Sequence, residues 1–525
     1  MTARAAVLAR YVAAAILGAA SVLGFAPYRL AVIPLLSLAL LFLLWRGCAS
    51  VRAAAVLGLI FGLGFFLTGT SWIYVSLHTF GGMPAVLTAI ATFIFSAIVA
   101  SYPALALGLA KWIVRDDVSA PRETLAMLIV LPACWTLGEL LRGTLWTGFP
   151  WLGLGYSQVP GSPLAGYAAL LGSYGVTLLC AVCAGALALL MIRIAHRSPR
   201  QLVLPLAVIA IAIGAGAALR GVAWTQPEGK PVSVALLQGN VAQERKFNPE
   251  VLPLIFAEYR QMVEKSGARL IILPETAFPV FVHQIEPEYL DAIAKHAVAN
   301  QGDVVFGVAI ADPQARAYFN SIVSTGTSEP QAYRKRHLVP FGEYLPWRPV
   351  FAWVLDVLDI PMADFTPGPL DPPPMAAAGE RLALSICYED AFGSLMRRQL
   401  PEATLLVNIS NDAWFGDSLA AEQHWQIAQM RALESGRMML RANNTGVTGI
   451  IDIDGSEVSR VPGFTTATLT GEAQGRSGAT PYVRIGEWGT VALVAGALIS
   501  ALILMRRRST NRIAGSSPTS TKDPS

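Results

Sequence analysis

The strongest constraint in this chain is a series of apolar runs, each near 20 residues long, about seven of them before residue 221 and one close to the end. They fall at roughly 7–25, 30–45, 53–75, 85–110, 124–141, 174–194, 202–219 and 488–505. Backbone polar groups inside hydrocarbon must be satisfied within the segment, so runs of this length specify membrane-spanning helices. Composition agrees: the 525 residues are 54% hydrophobic and 14% charged, with a mean hydropathy of +0.50. That is too apolar for an ordinary soluble enzyme, yet long enough for a membrane part and one complete globular domain. Arg4 and Arg10 precede the first run as they would in a signal peptide. The run lacks a small-residue cleavage site and more spans follow at once, so an uncleaved first helix is expected.

Basic residues set the expected orientation. With the N-terminus inside, cytoplasmic loops hold Arg46, Arg52, Lys111, Arg115, Arg122, Arg193, Arg197, Arg200 and Arg506 to Arg508, against Arg29, Arg142 and Arg220 on the other side. This asymmetry predicts that both termini are cytoplasmic and that the segment between the seventh and eighth spans is exported, periplasmic at a bacterial inner membrane. The net charge of +4 is scattered among loops, so no nucleic-acid surface is expected. The expected organisation is a membrane part over 1–223, an exported domain over 224–487, a last span over 488–508 and a disordered tail over 509–525.

The exported block alternates strand-like and helix-like runs. Strands are expected over 232–237, 269–273, 304–310, 382–386, 404–409 and 449–453, and helices near 250–265, 287–300 and 421–435, which reads as one α/β domain. The Pro- and Gly-rich stretch 360–379 follows an apolar segment, 350–355, that contains Trp353. The pair suggests a mobile arm with a lipid-facing tip.

Three residues at the ends of strand-like runs carry chemistry: Glu275 in Leu273-Pro274-Glu275, Lys335 in Tyr333-Arg334-Lys335, and Cys387 in Ile386-Cys387-Tyr388-Glu389. A carboxylate, an ammonium and a thiol suit the roles of base, oxyanion stabiliser and nucleophile in acyl transfer. Each also has a plain reading, as a buried core thiol, a strand-end carboxylate and a solvated basic edge. Cys48, Cys134, Cys180 and Cys183 lie in or beside spans and are read as core, including the Cys180-x-x-Cys183 pair. No phosphate-binding glycine loop and no His/Cys metal cluster stands out, so no cofactor and no metal are expected, and the dispersed histidines are read as structural or surface groups.

Longer motifs surround these residues: Lys335-x-x-Leu338-Val339-Pro340-Phe341-Gly342-Glu343, Asn408-x-Ser410-Asn411-Asp412-Ala413-Trp414-Phe415-Gly416 and Arg441-Ala442-Asn443-Asn444. The membrane half holds Trp135-x-x-x-Glu139-x-x-Arg142-Gly143 and Thr147-Gly148-Phe149-Pro150-Trp151. With these motifs the chain resembles the nitrilase superfamily and, more specifically, its membrane branch, the apolipoprotein N-acyltransferases. The resemblance spans nearly the whole chain and implies an αββα sandwich carried by about eight transmembrane helices. It implies a Glu275–Lys335–Cys387 triad that takes an acyl chain from a phospholipid, typically phosphatidylethanolamine, through a Cys thioester. The chain then passes to the α-amine of a diacylglyceryl-cysteine that begins a bacterial apolipoprotein. Glu343 would support Lys335, Tyr388 would stand beside the nucleophile, and Glu389 would orient Lys335 or hold a loop. Trp353, Trp414, Trp146, Glu139 and Arg142 are candidates for the lipid path, the last two as a mutual ion pair. Two other classes use parts of the same pattern: a membrane-tethered amidase with water as acceptor, and a transporter with an exported binding domain.

Overall fold

The computed structural model describes residues 3–114, 120–347, 349 and 364–514. Among the described residues, seven helices are long and apolar enough to cross a membrane: Arg4–Gly24, Val51–Gly69, Ala85–Val114, Ala120–Thr144, Pro163–Ala195, Pro199–Arg220 and Trp488–Met505. The run expected at 30–45 forms the shorter apolar helix Val32–Arg46. Close approach between spans depends on small residues, because only they let helix backbones touch in a lipid environment. A Cβ added at Gly18 would lie 2.0 Å from the Phe61 carbonyl oxygen, and one at Gly58 would lie 2.4 Å from that of Pro103. At one end of the bundle Glu123 collects two basic residues, Arg46 at 2.5 Å and Arg193 at 3.1 Å.

The block between the last two spans folds into two large mixed sheets, with a short pairing of Gln226–Pro227 and Arg476–Ser477 beside them. The first has seven strands, ordered Ala467–Ala473, Val232–Gln238, Leu270–Ile272, Asp303–Asp312, Ala317–Gly326 and Ala332–Arg334, with Phe278–Phe281 also paired to Asp303–Asp312. The second has six, ordered Glu457–Val461, Thr448–Ile451, Met439–Asn443, Leu405–Ser410, Glu380–Ile386 and Met375–Ala377. The strands at the heart of each sheet run parallel, and parallel strands are covered on both faces. The two-residue period of a strand makes this visible within one segment. Val234 and Leu236 point between the sheets with Leu384, Val407 and Leu440. Ala235 and Leu237 point outward under helices Leu252–Glu264 and Pro287–Ala299. Helix Leu419–Ser435 covers the other sheet through Trp425, Ala428 and Ala432. The result is the expected αββα sandwich on a membrane helix bundle.

All six strands read from the sequence are present within a residue or two of their expected bounds. Strand Ala317–Gly326, ten residues long, was not among them, because Asn320, Ser321, Ser324 and Thr325 interrupt its apolar pattern. Helix Leu419–Ser435 departs from simple amphipathicity: from Gln423 to Ser435 every residue is buried. Its second face lies against the membrane half, where polar side chains reach backbone and indole groups. Gln423 Oε1 accepts from Trp151 Nε1 at 2.7 Å and Gln426 Oε1 accepts from the Ala26 amide at 2.9 Å. Glu434 Oε1 accepts from the Ser173 amide at 2.6 Å. These bonds satisfy groups whose burial would otherwise cost free energy.

Candidate active site

Glu275, Lys335 and Cys387 lie just past the ends of strands Leu270–Ile272, Ala332–Arg334 and Glu380–Ile386. The first two belong to one sheet and the third to the other, so the site forms where the two sheets' strand ends meet. Lys335 is almost completely buried, at 1% exposure. Its Nζ lies 2.8 Å from Glu343 Oε1 and 3.4 Å from Glu275 Oε1. Asn320 ties the two carboxylates together, its Nδ2 donating to Glu275 Oε1 at 2.8 Å and to Glu343 Oε1 at 2.9 Å. Glu343 Oε2 also accepts from the Val339 amide at 2.8 Å. Burial by itself would lower the Lys335 pKa, but Glu343 and Glu275, joined by Cys387, outweigh it and hold the ammonium well above its ordinary value.

Cys387 opens the short helical turn Cys387–Ala391 with φ of +53°. A left-handed conformation in a non-glycine residue costs about 1–3 kcal/mol and persists only where surrounding contacts impose it. Those contacts are visible. The Cys387 carbonyl accepts from Asn408 Nδ2 at 3.1 Å and faces His424 Nε2 at 3.2 Å. Burial, then the Glu275 charge, push the Cys387 thiol far above its ordinary pKa, with Lys335 opposing them. The resting sulfur is therefore a thiol, and a proton acceptor is needed to activate it.

Glu389 does not reach Lys335. Its Oε1 accepts from the Arg336 and His337 amides at 2.7 and 3.0 Å, and its Oε2 from Tyr333 Oη and the Ile386 amide, both at 2.8 Å. Of the two roles open in the sequence, it holds loops: one carboxylate ties the segment after Lys335 to the start of the Cys387 turn. Burial raises its pKa. Tyr388 Oη donates to the Gly148 carbonyl at 2.8 Å, and its ring stacks on Trp151 at 6.5 Å. The turn that carries Cys387 thus rests directly on the membrane half.

Glu139 and Arg142 are buried, but they are not each other's ion-pair partner. Glu139 accepts from Trp135 Nε1 at 3.0 Å, Thr177 Oγ1 at 2.9 Å and the Leu154 amide at 3.1 Å. Arg142 Nη1 donates to the Phe149 and Trp151 carbonyls at 2.5 and 2.6 Å. Both brace the loop between Thr144 and Leu154 that carries Gly148 and Trp151. Backbone groups of a non-helical loop need partners, and these side chains supply them. Trp146 stands 79% exposed, edge-on to Trp347 at 5.5 Å. Trp414 is half-buried in the turn Asp412–Phe415. Trp353 lies outside the described residues, as does the apolar tip expected around it.

Several groups here carried no sequence signal as site residues. Asn320 lies on the strand that the pattern missed. Lys246 is 2% exposed, donates to the Glu275 carbonyl at 3.2 Å, and is pushed by burial down to about 7. Behind Cys387 lies a second charged cluster. His424 Nε2 meets Asp390 Oδ1 at 2.9 Å and His424 Nδ1 meets Asp412 Oδ1 at 3.1 Å. Arg441 bridges the same two aspartates at 3.0 and 3.2 Å. Burial and Arg441 work against the His424 charge, but Asp390 and Asp412 prevail and raise its pKa to about 9.

Two family models match the chain: the apolipoprotein N-acyltransferase N-terminal domain over residues 17–186, and carbon-nitrogen hydrolase over residues 233–482. An apolipoprotein N-acyltransferase of Nitrosomonas europaea is 48% identical over 491 residues, which is 94% of this chain and 96% of that one. The chain belongs to the apolipoprotein N-acyltransferase family. Similar proteins of the same description occur in Ralstonia nicotianae, 45% identical over 94% of this chain and 93% of that one, and in Methylococcus capsulatus, 45% identical over 92% and 94%. In this chain the membrane half and the carbon-nitrogen hydrolase half form one structure, joined through Tyr388, Trp151 and helix Leu419–Ser435.

Proposed function

We propose that this protein transfers an acyl chain from a membrane phospholipid, with phosphatidylethanolamine as donor, to the N-terminal α-amine of a diacylglyceryl apolipoprotein. Glu275 accepts the Cys387 thiol proton, and the thiolate attacks the ester carbonyl of the phospholipid. The tetrahedral oxyanion is held by Lys335 and by backbone N–H groups after Cys387, each well-placed donor contributing roughly 3–4 kcal/mol. Collapse expels the lysophospholipid alkoxide, which takes the proton back from Glu275 and leaves a thioester on Cys387. The incoming amine attacks that thioester, Glu275 takes the amine proton, and the departing thiolate recovers it. An ester bond is exchanged for an amide, a downhill exchange that needs no nucleotide.

The observation that carries this reading is the seating of the nucleophile turn on the membrane half, through Tyr388 on Gly148 and Tyr156 Oη donating to the Ala391 carbonyl at 3.2 Å. A tethered amidase needs one span and no such contact, whereas an enzyme whose donor arrives within the bilayer needs its nucleophile at the bilayer's edge. The gathering of Arg46 and Arg193 on Glu123 supports a cytoplasmic face there, with the catalytic domain over 224–487 on the periplasmic side and both termini cytoplasmic.

Intact-protein mass spectrometry tests the reading. Incubation with phosphatidylethanolamine and no acceptor should add one fatty-acyl mass to the protein. Cys387→Ser should show no hydroxylamine-labile adduct, and a diacylglyceryl lipopeptide should discharge the wild-type adduct with acylation of its own N-terminus. Hydrolysis of small amides without any adduct would overturn it in favour of the amidase.

A further inference from the structure

Next to the residues that follow the Cys387 turn, a cavity of about 590 Å³ opens between three membrane helices and the catalytic domain. Leu140, Leu141, Val491, Val494 and Leu498 form its apolar walls, and Ala391 to Ser394 close it from the catalytic side. Its volume lies within the ordinary range for small-molecule pockets. Phe392 separates it from the site already described: that ring stands 3.9 Å from the His337 ring and 5.0 Å, edge-on, from Tyr388.

The lining also holds polar groups. Arg397, Glu487, Ser173 and Trp488 share the lining with the apolar walls, and Trp488 is 72% exposed, as an interfacial anchor would be. Arg397 has donors to spare. Its Nη1 makes one long bond, 3.4 Å, to the Val483 carbonyl, and its Nε is buried with no hydrogen-bond partner. It makes no ion pair among the described residues. Glu487 accepts from Tyr482 Oη at 2.7 Å and keeps a second carboxylate oxygen. A lone cation would suit any anionic lipid. A guanidinium and a carboxylate together, above an apolar slot, match a headgroup that carries both a phosphate and an ammonium.

We propose that this cavity is a second lipid site, separate from the triad, that holds one acyl chain of a zwitterionic aminophospholipid. Arg397 takes its phosphate and Glu487 its ammonium. The proposal deepens the acyl-transfer reading by giving the donor lipid, or the lyso product of the same headgroup, a seat against the outer wall of the nucleophile turn. It rests on that reading only for the link to the donor, since the headgroup is read from Arg397 and Glu487.

The test uses the full-length protein in nanodiscs containing phosphatidylethanolamine with a diazirine in one acyl chain, photolysed and mapped by peptide mass spectrometry. A phosphatidylglycerol probe with the same chain serves as control, and the Cys387→Ser protein is run in parallel so that no donor is consumed. The segments 137–141 and 491–498 should be labelled roughly tenfold above the lipid-facing span 203–220, a preference on the scale of one charge-assisted hydrogen bond. Arg397→Gln should remove about tenfold of that preference, and Ala495→Trp, which fills the slot from an exposed helix position, should abolish it with the thermal midpoint unchanged. Equal labelling of all spans, equal labelling by the phosphatidylglycerol probe, or indifference to Arg397→Gln would each overturn the proposal. The acyl adduct on Cys387 is read separately: an adduct without enrichment sinks this site alone, and enrichment without an adduct sinks the acyl-transfer reading alone.

Discussion

Two charged clusters flank Cys387, and they are built for different work. On the side of the first sheet, one cation, Lys335, stands between two carboxylates, Glu275 and Glu343. Its formal charge is negative, and Glu275 and Glu343 keep a little solvent exposure, 9% and 13% of their side chains. On the side of the second sheet, Asp390, Asp412, His424 and Arg441 balance two charges against two, with side-chain exposures of at most 1%. In the unbalanced cluster Glu275 opposes ionisation of the Cys387 thiol and Lys335 favours it. The balanced cluster meets the Cys387 carbonyl through His424 and braces its left-handed turn. The comparison teaches that burying charge serves reactivity where it is left incomplete, and rigidity where it is complete.

The comparison breaks most readily at Arg441. Arg441→Met leaves Asp390 and Asp412 facing one imidazolium in a sealed site, so denaturant unfolding in detergent should show a loss of about 3–5 kcal/mol. Adding Asp390→Asn should restore part of that loss. If Arg441→Met is neutral, the second cluster is not a structural unit.

Lys335→Met tests the other side. Thioester formation should slow by roughly 10²–10³-fold, the value of one oxyanion donor, while stability falls less than in Arg441→Met. An unchanged acylation rate would remove Lys335 from the chemistry.

The clusters also differ in pH response. The His424 pKa is raised from 6.5 to about 9, so the folded state holds a proton that the unfolded state releases. That stabilisation is complete below the unfolded pKa and declines as pH rises from about 6.5 to about 9, by up to on the order of 3 kcal/mol. The raised thiol of Cys387 acts in the same direction but only above its own unfolded value of 9.0. Lys246, pushed by burial down to about 7, works the opposite way in this window, so the His424 contribution is read as a difference. Across it the midpoint of wild type should fall relative to that of His424→Asn, with or without Cys387→Ser in both proteins, and the absence of that relative fall would place His424 outside the charge balance.

The smallest effect sharpens the link to the membrane half. Tyr388→Phe keeps the ring on Trp151 and removes one hydrogen bond to Gly148, a change of about 1 kcal/mol. Acylation by phosphatidylethanolamine should slow by up to roughly tenfold, and thioester formation from a water-soluble short-chain ester should be unaffected. Equal slowing with both donors would mean that Tyr388 acts on the nucleophile itself and not on its seating.

Much of this protein was legible before any folding. Length and hydropathy specify a span wherever hydrocarbon forbids unpaired backbone, and each of the eight runs forms an apolar helix. The strands of the sandwich carry their β pattern locally, and Glu275, Lys335 and Cys387 stand out because motifs are contiguous in sequence. What only the tertiary structure decided are the partners. Glu139 and Arg142, one helical turn apart, invite a mutual ion pair by spacing, yet the loop that folds over them offers amides and carbonyls that need them more. Helix Leu419–Ser435 carries polar residues on a face that sequence patterning assigns to water, and the membrane half buries it. Asn320 and His424 look unremarkable because their roles depend on groups dozens of residues away, Glu275 for one and Asp390 for the other. Periodicity and motif report a residue's near neighbours along the chain. Which charges meet across two sheets and a membrane bundle depends on topology, and the cost of leaving any of them unpaired settles the arrangement.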